Sequence, residues 1–518
     1  MQRLHTPQEA ARWLRQRVRG VLRTDSRQVR QGDAFLAWPG ARHDARRYLP
    51  TVLAQGASAC LIEADNWAGH SEGAWTAHAD QLACYVGLKS ASGPIASAYH
   101  DSPSEHVDVL AVTGTNGKTS TAWWLAQALS RLGHRCAVAG TLGLGEVQQR
   151  AQGRSQVQGL DTGFTTPDAV LWQGSLRDFA DRGIRACAVE ASSIGLAEHR
   201  LDGTRIRLAV FTNFTQDHLD YHGDMNAYWL AKRALFDWQG LQAAVLNVDD
   251  PKGQQLFQEL QSHQDSVDLW TCSAIGPARV WARDIRQGDL HVDASSTQHR
   301  LVGMSFDVVE GGQSLRMQTA MMGHYNVNNL LGVVASLRAL GHSLEQAVQV
   351  CCDLWPVPGR LQVVSAARGP LVLIDYAHSP DALEQVLKAV QPVALQRLGR
   401  VVCVVGCGGD RDAGKRPLMA RAAQDHSDRL VFTSDNPRSE NPQAILDAML
   451  TGLLPGACVE LEVDRARAIT QAIDQAAEND VVLIAGKGHE HYQEIAGVRH
   501  PFSDEVHAQR ALETWSAA

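Results

Sequence analysis

The sequence predicts an α/β protein of three domains, and three observations carry that prediction. A glycine loop lies between an apolar run and a helix-like stretch at 107–126. Apolar runs ending in polar residues alternate with helical patterns from about 107 to 353 and again from 371 to 485. Short proline-containing breaks fall at Asp101-Ser102-Pro103-Ser104-Glu105 and at Trp355-Pro356-Val357-Pro358-Gly359-Arg360. Strands that alternate with helices imply mostly parallel sheets covered by helices. A chain of 518 residues has room for about three domains, and the breaks set them at 1–106, 107–353 and 354–518.

In chain order, 57–62 and 82–88 read as buried strands of the first domain. In the second, 107–112, 186–190, 208–212 and 243–247 read as strands, with a helix over 120–126. In the third, 371–375, 401–406, 429–433 and 481–485 are apolar strands, each followed by a loop rich in Gly, Asp or Asn. In parallel sheets ligands lie beyond the carboxyl ends of the strands. The informative residues are therefore those that follow these runs.

Bulk properties exclude some classes. Hydrophobic residues make up 44% and charged residues 20%, as in an ordinary globular protein. A net charge of −8 argues against a general nucleic-acid binder, although a local Arg cluster can still meet an anionic small molecule. None of the ten cysteines forms a CxxC, and the Cys351-Cys352 and Cys403/Cys407 spacings do not resemble a zinc site. Reduced, buried thiols of a cytosolic protein are the expectation. Residues 1–7 hold no signal-peptide core, and there is no 18-residue apolar run. We therefore expect a soluble, cytoplasmic protein with no membrane insertion.

Residues 113–119, Thr-Gly-Thr-Asn-Gly-Lys-Thr, form the strongest signal. Backbone N–H groups of such a loop cradle phosphates, and the helix N-terminus adds positive charge. Lys118 can reach the β- and γ-phosphates, and the Thr119 hydroxyl can ligate Mg²⁺. The pattern GxxxxGK[ST] wants a glycine at Val112, so the loop is a variant in which Gly114 and Gly117 supply the freedom. Glu190 at the next strand end is a candidate Mg²⁺ carboxylate. The segment from Phe211 to Gly223 is dense in Asp and His. On residue type alone it could hold metal ligands, a surface cluster or an N-cap. In the third domain Arg411, Arg438 and Glu490 go beyond what turns need. They suit a ligand with carboxylate and ammonium groups, since Arg grips carboxylates bidentately and Glu accepts from an amine. The Gly406-Cys407-Gly408-Gly409 string lacks GxGxxG spacing, which argues against a nicotinamide enzyme.

Taken together these strings resemble one family, the Mur ligases of peptidoglycan synthesis, along essentially the whole chain. The loop from Thr113 to Thr119 matches the family's TGTNGKT string, and Thr212 through His222 resembles its TNxxxDHLDYH signature. The resemblance implies an N-terminal uridine-nucleotide domain, a central ATPase and a C-terminal Rossmann-like domain for an incoming amino acid. ATP would meet Gly114, Thr115, Asn116, Gly117, Lys118, Thr119 and Ser120, with Asn326, Arg360 and Asp375. The UDP-muramoyl-peptide side would include Thr24, Ser26, His43, Asp44 and Ala45, then Thr165, Thr166, Ser192, Glu198 and Arg200. Asp435-Asn436-Pro437-Arg438 resembles the motif that separates diaminopimelate-adding members from lysine-adding ones, and Arg411, Gly486 and Glu490 match the rest of that pocket. His218 is implied as a second-metal ligand. Lys232 falls on the lysine that the family carbamylates, although its residue type alone favours a helix-surface ion pair.

Three positions depart from the family pattern. Phe164 stands where Asn often precedes Thr-Thr-Pro, Ile194 where many members have His, and Glu198 where many have Gln. All lie on the peptide side. The implied reaction is ATP-dependent addition of meso-2,6-diaminopimelate to UDP-N-acetylmuramoyl-L-alanyl-D-glutamate through an acyl phosphate, with ATP, Mg²⁺ and Lys118, Lys232 and His218 in catalysis. Alternatives are the same ligation with L-lysine or another amino acid, a sister ligase of the same architecture, or a nucleotide switch that hydrolyses without an amine.

Overall fold

The computed structural model describes residues 1–40, 43–65, 78–149, 155–263, 266–290, 301–364 and 368–517. Among them three large sheets follow one another along the chain. The first has five parallel strands, ordered Gln2–Leu4, Leu82–Tyr85, Ala59–Glu63, Ala34–Ala37 and Leu22–Arg23. The run at 82–88 stops being a strand at Tyr85. Gly87 takes a left-handed φ of +71°, and the helix Leu88–Tyr99 begins after it. The Glu63 carboxylate accepts from Gly87 N at 3.0 Å and Leu88 N at 2.6 Å, which caps that helix.

The second sheet has eleven strands. Its centre is parallel, in the order Val280–Leu290, Asp268–Ser273, Ala243–Asn247, Ile206–Phe211, Asp108–Thr113, Ala186–Glu190 and Cys136–Gly140. Antiparallel strands extend both edges. One apolar layer is built on the helices Lys118–Arg131 and His324–Ala339, and the opposite layer on Ala169–Asp181 and Pro251–His263. Burial on both faces explains why these strands read as continuous apolar runs rather than as alternating ones. The strand Asp108–Thr113 sits between Ala186–Glu190 and Ile206–Phe211. The glycine loop, Glu190 and Thr212-Asn213 therefore leave the sheet at one edge.

The third sheet is ordered Gln362–Val364, Leu371–Asp375, Val481–Ala485, Val401–Val405, Arg429–Thr433 and Val459–Glu462. All pairs but the first are parallel. The hairpin Tyr492–Ile495/Val498–Pro501 lies beside its loops. The cysteines are free thiols, six buried, three half-buried, and Cys458 exposed against expectation. Among the described residues no helix is long and apolar enough to cross a membrane.

Candidate active site

The glycine loop is shaped by close approach. Gly114 has φ +145°, and a Cβ there would lie 1.9 Å from Thr212 Oγ1. Gly117 has φ +85°, and a Cβ would lie 2.4 Å from Asn329 Oδ1. Val112 needs no such freedom, because it is still inside the strand, paired with Glu190 and Val210. The loop is also held from behind. Thr115 N donates to Asn213 O and Asn116 N to Asn213 Oδ1, each at 2.8 Å, and Thr212 Oγ1 donates to Asn116 O at 2.6 Å. From the third sheet's helix Pro380–Gln396, Asp381 Oδ2 accepts from Asn116 Nδ2 at 2.9 Å and Thr215 Oγ1 at 3.3 Å.

Two lysines converge on this loop. Lys118 Nζ donates to Gly114 O at 3.0 Å and Thr115 O at 2.8 Å. Lys232 Nζ donates to the same Gly114 O at 2.6 Å and lies 4.5 Å from the Tyr228 ring centre. Lys232 is only 1% exposed, so the surface ion pair expected from its residue type is not what forms. Its helix, Met225–Arg233, packs that face inward after an Asp224 cap. Burial pushes the Lys232 amine well below its ordinary range, and the neighbouring Lys118 adds to the effect. Burial lowers Lys118 too, against the pull of Glu190 and Asp217.

Glu190 faces them. Its Oε2 accepts from Thr119 Oγ1 at 2.9 Å and its Oε1 from Thr141 N at 2.8 Å. Burial raises its pKa in spite of Lys118 and these donors. Arg360 Nη2 donates to Thr119 Oγ1 at 3.3 Å, and its guanidinium stacks 4.5 Å from the Tyr376 ring centre. Among the described residues no three His, Cys, Asp or Glu side chains gather as a metal cage. What exists is one carboxylate and one hydroxyl. Such hard oxygen donors fit Mg²⁺, which takes its remaining ligands from phosphates and water.

The Asp/His segment divides its labour. Burial lowers the His218 pKa to about 4, with Asp217 opposing and Lys118 and Lys232 reinforcing the shift, so the ring is neutral at neutral pH. For Asp217, burial is outweighed by His218, His378 and Lys415, and its pKa falls to about 2. Lys415 Nζ approaches it at 3.7 Å from the third region. His222 Nε2 meets Ser193 Oγ at 3.0 Å. Asp217, His378, Lys415 and Asp381 carried no sequence-based role. Asp217 stood visibly in the signature string, whereas the others come from a remote part of the chain and left no local signal.

Several residues expected to contact ligands make hydrogen bonds within the protein. Thr166 is buried, and its hydroxyl donates to Glu190 O at 2.6 Å and lies 2.9 Å from Ser192 Oγ. Thr165 Oγ1 lies 3.2 Å from Thr141 Oγ1. Ser192 caps the helix Ser193–Ala197. Arg200 donates to Thr166 O at 2.9 Å and lies 4.6 Å from the Phe164 ring centre. Asn326 Nδ2 donates to Met322 O at 2.7 Å, and buried Asp375 accepts from Leu361 N at 2.7 Å and Ala377 N at 2.8 Å. Ser120 is buried at the helix start. In the first region Asp44 is held bidentately by Arg46, at 3.0 and 2.8 Å, and caps the turn Ala45–Tyr48. His43 O accepts from Gly40 N at 2.8 Å, while Thr24 and Ser26 begin a separate turn capped by Asp25.

The third sheet gathers its polar loops as the parallel arrangement requires. Asn436 Nδ2 donates to Glu490 Oε2 at 2.8 Å, and Lys487 Nζ donates to the same oxygen at 2.8 Å and to Asn436 Oδ1 at 3.0 Å. Beneath them the buried pair Arg465–Asp504, at 2.8 Å, ties both strand ends through Ser434 O at 3.3 Å and Ala485 O at 2.9 Å. Gly486 turns beside Asp435. Arg438 donates to Gly409 O at 2.7 Å, and its side chain keeps 22% exposure. Arg411 is exposed, and Gly409 packs against Pro437 O.

Comparison with known proteins agrees with this geometry. Residues 112–337 match the family described as Mur ligase middle domain, and residues 359–488 match Mur ligase, glutamate ligase domain. The chain is 54% identical to the UDP-N-acetylmuramoyl-L-alanyl-D-glutamate--2,6-diaminopimelate ligase of Acidovorax sp. (strain JS42), covering 98% of this chain and 97% of the relative. It is 42% identical to the protein of that name from Pseudomonas aeruginosa, covering 95% of each. A solved structure of a ligase of the same name matches at 34% identity and TM-score 0.63, over 96% of this chain and 95% of that one. MurF from Acinetobacter baumannii shares the fold at 18% identity and TM-score 0.63, covering 98% of each.

Proposed function

The chain belongs to the Mur ligase family, and from that premise we propose that it joins meso-2,6-diaminopimelate to UDP-N-acetylmuramoyl-L-alanyl-D-glutamate in an ATP-dependent, ADP-forming amide ligation. The observation that carries this reading is 54% identity to a relative of that name over nearly the full length of both chains. We assign 1–106 to the nucleotide-peptide, 107–353 to ATP and 354–518 to the amino acid. The reaction serves cytoplasmic synthesis of a cell-wall precursor.

A carboxylate resists amine attack because it is anionic and would have to expel oxide. Transfer of the γ-phosphoryl group of ATP to the glutamyl carboxylate gives an acyl phosphate and ADP. The deprotonated amine of diaminopimelate then attacks the acyl carbon, and phosphate departs. The first step brings two anions together, so the pocket must supply positive charge. Lys118 does so by exchanging its loop carbonyls for phosphate oxygens. Arg360 stands beside Thr119 to meet the same phosphates. Magnesium, when bound, neutralises phosphoryl charge, and Thr119 and Glu190 would hold it, with His218 and Lys232 at a second ion. The buried amine of Lys232, whose pKa burial lowers, is suited to add in its unprotonated form to the carbon of CO₂ and lose a proton, which leaves a carbamate anion next to Lys118. On the amino-acid side, Arg438 takes the distal carboxylate, with Arg411 nearby, and the Asn436–Glu490 pair meets the ammonium end.

Phosphate release should require both the UDP-muramoyl-dipeptide and meso-diaminopimelate, with lysine at least about 100-fold poorer in kcat/KM, since a site built for a charged group rejects the analogue lacking it. Release that ignores the amine would replace this reading with a hydrolytic switch. Equal use of lysine would remove the pocket assignment.

A further inference from the structure

Lys89 starts the helix Leu88–Tyr99 of the first region, and its position is set by the Glu63 cap. Its Nζ lies 2.7 Å from Glu198 Oε2, in the second region. The other oxygen of Glu198 accepts from Tyr221 Oη at 2.5 Å, in the signature segment. Both carboxylate oxygens are therefore engaged by side chains from two separate parts of the chain. Burial raises the Glu198 pKa, but Lys89 and Tyr221 outweigh it and keep the group ionised. Burial and the Glu198 carboxylate together push the Tyr221 phenol up to about 12, so it stays a donor.

Glu198 sits in one short segment with Arg200, whose guanidinium stacks on Phe164. A bare carboxylate here would repel a ligand that brings a diphosphate and peptide carboxylates, and like-charge juxtaposition is costly where solvent is partly excluded. We propose that Lys89 is a positioning and charge-compensating residue for the nucleotide-peptide substrate: it neutralises Glu198 and, with Tyr221, turns the carboxylate away from the anionic ligand. The Lys89–Glu198–Tyr221 chain thus joins the first region to the signature segment, while Arg200 beside it donates to Thr166 O at 2.9 Å. This inference rests on the proposed ligase function.

The test measures KM for UDP-N-acetylmuramoyl-L-alanyl-D-glutamate and, by calorimetry without turnover, its binding to the full-length protein. Lys89→Met should raise that KM about tenfold, with KM for ATP and diaminopimelate within twofold of wild type. The increase should grow as ionic strength falls, because screening weakens repulsion. In the Glu198→Gln background the same Lys89→Met change should raise KM less than twofold, since no carboxylate remains to be unmasked. An equal rise in both backgrounds, no rise in either, or a rise that ignores salt would overturn the proposal while the ligase reading stands. A wild-type protein that neither binds nor turns over the nucleotide-peptide would overturn the ligase reading itself, and this inference with it.

Discussion

The glycine loop of the second sheet and the polar loops of the third are both built from strand ends, yet their charges are handled in opposite ways. Around Gly114 two lysine side chains donate to one carbonyl oxygen, and Glu190 is buried enough for its pKa to rise. Around Asn436, Lys487 is matched by Glu490, and Arg465 by Asp504. The first pocket is electrostatically incomplete, and a polyanion with its metal would complete it. The second is already satisfied, which holds its loops rigid before the ligand arrives. The incomplete charge set fits the phosphate site we propose, and the closed network fits the amino-acid site we propose.

That contrast can be broken from either side, and the largest effect belongs to the incomplete pocket. Lys232→Met should lower kcat by roughly 10³-fold, the scale expected for removing one electrostatic element of a preorganised site. Lys232→Ala with added short carboxylates should recover part of the rate, because a free anion can occupy the space of the carbamate. Full activity of either variant without such additives would remove the carbamate from the account.

On the satisfied side, Arg438→Met should cost about 1.5–3 kcal/mol in kcat/KM for diaminopimelate, the range for a hydrogen bond to a charged group. Its effect on lysine should be far smaller, so the ratio of the two substrates is the quantity to measure. A parallel loss for both would place Arg438 in loop structure alone.

The smallest effect lies away from both pockets. Burial lowers the His100 pKa to about 4, helped by Arg177 and Arg15. The unfolded chain, with an ordinary His near 6.5, then binds more protons than the folded one between these values. This contribution to stability is complete above pH 6.5 and shrinks as pH falls toward 4. His100→Gln should flatten the fall of the urea-unfolding free energy between pH 7 and pH 5 by roughly 2 kcal/mol. An unchanged slope would show that the ring is solvated.

Much of this was legible in the sequence, for physical reasons. Parallel strands buried on both faces leave continuous apolar runs, so the strands 186–190, 243–247, 371–375, 429–433 and 481–485 were read to the residue. Glycines forced by close approach made the phosphate loop readable. Lys232 was misread without the family resemblance, because a lysine on a helix carries no sign of which face it occupies. Tertiary ties left no mark either. Asp381 reaching Asn116, Lys415 reaching Asp217 and Lys89 reaching Glu198 all join residues more than a hundred positions apart. Thr166, Asn326 and Asp375 were expected to contact ligands, and their side chains hydrogen-bond within the protein.

The most direct measurement is calorimetric titration of ATP into the full-length protein, with and without Mg²⁺, alongside Lys118→Met. An incomplete cationic pocket predicts saturable, magnesium-dependent binding to the wild type and at least a hundredfold weaker binding to the variant. Equal affinity in the two proteins, or no magnesium-dependent binding in either, would contradict it.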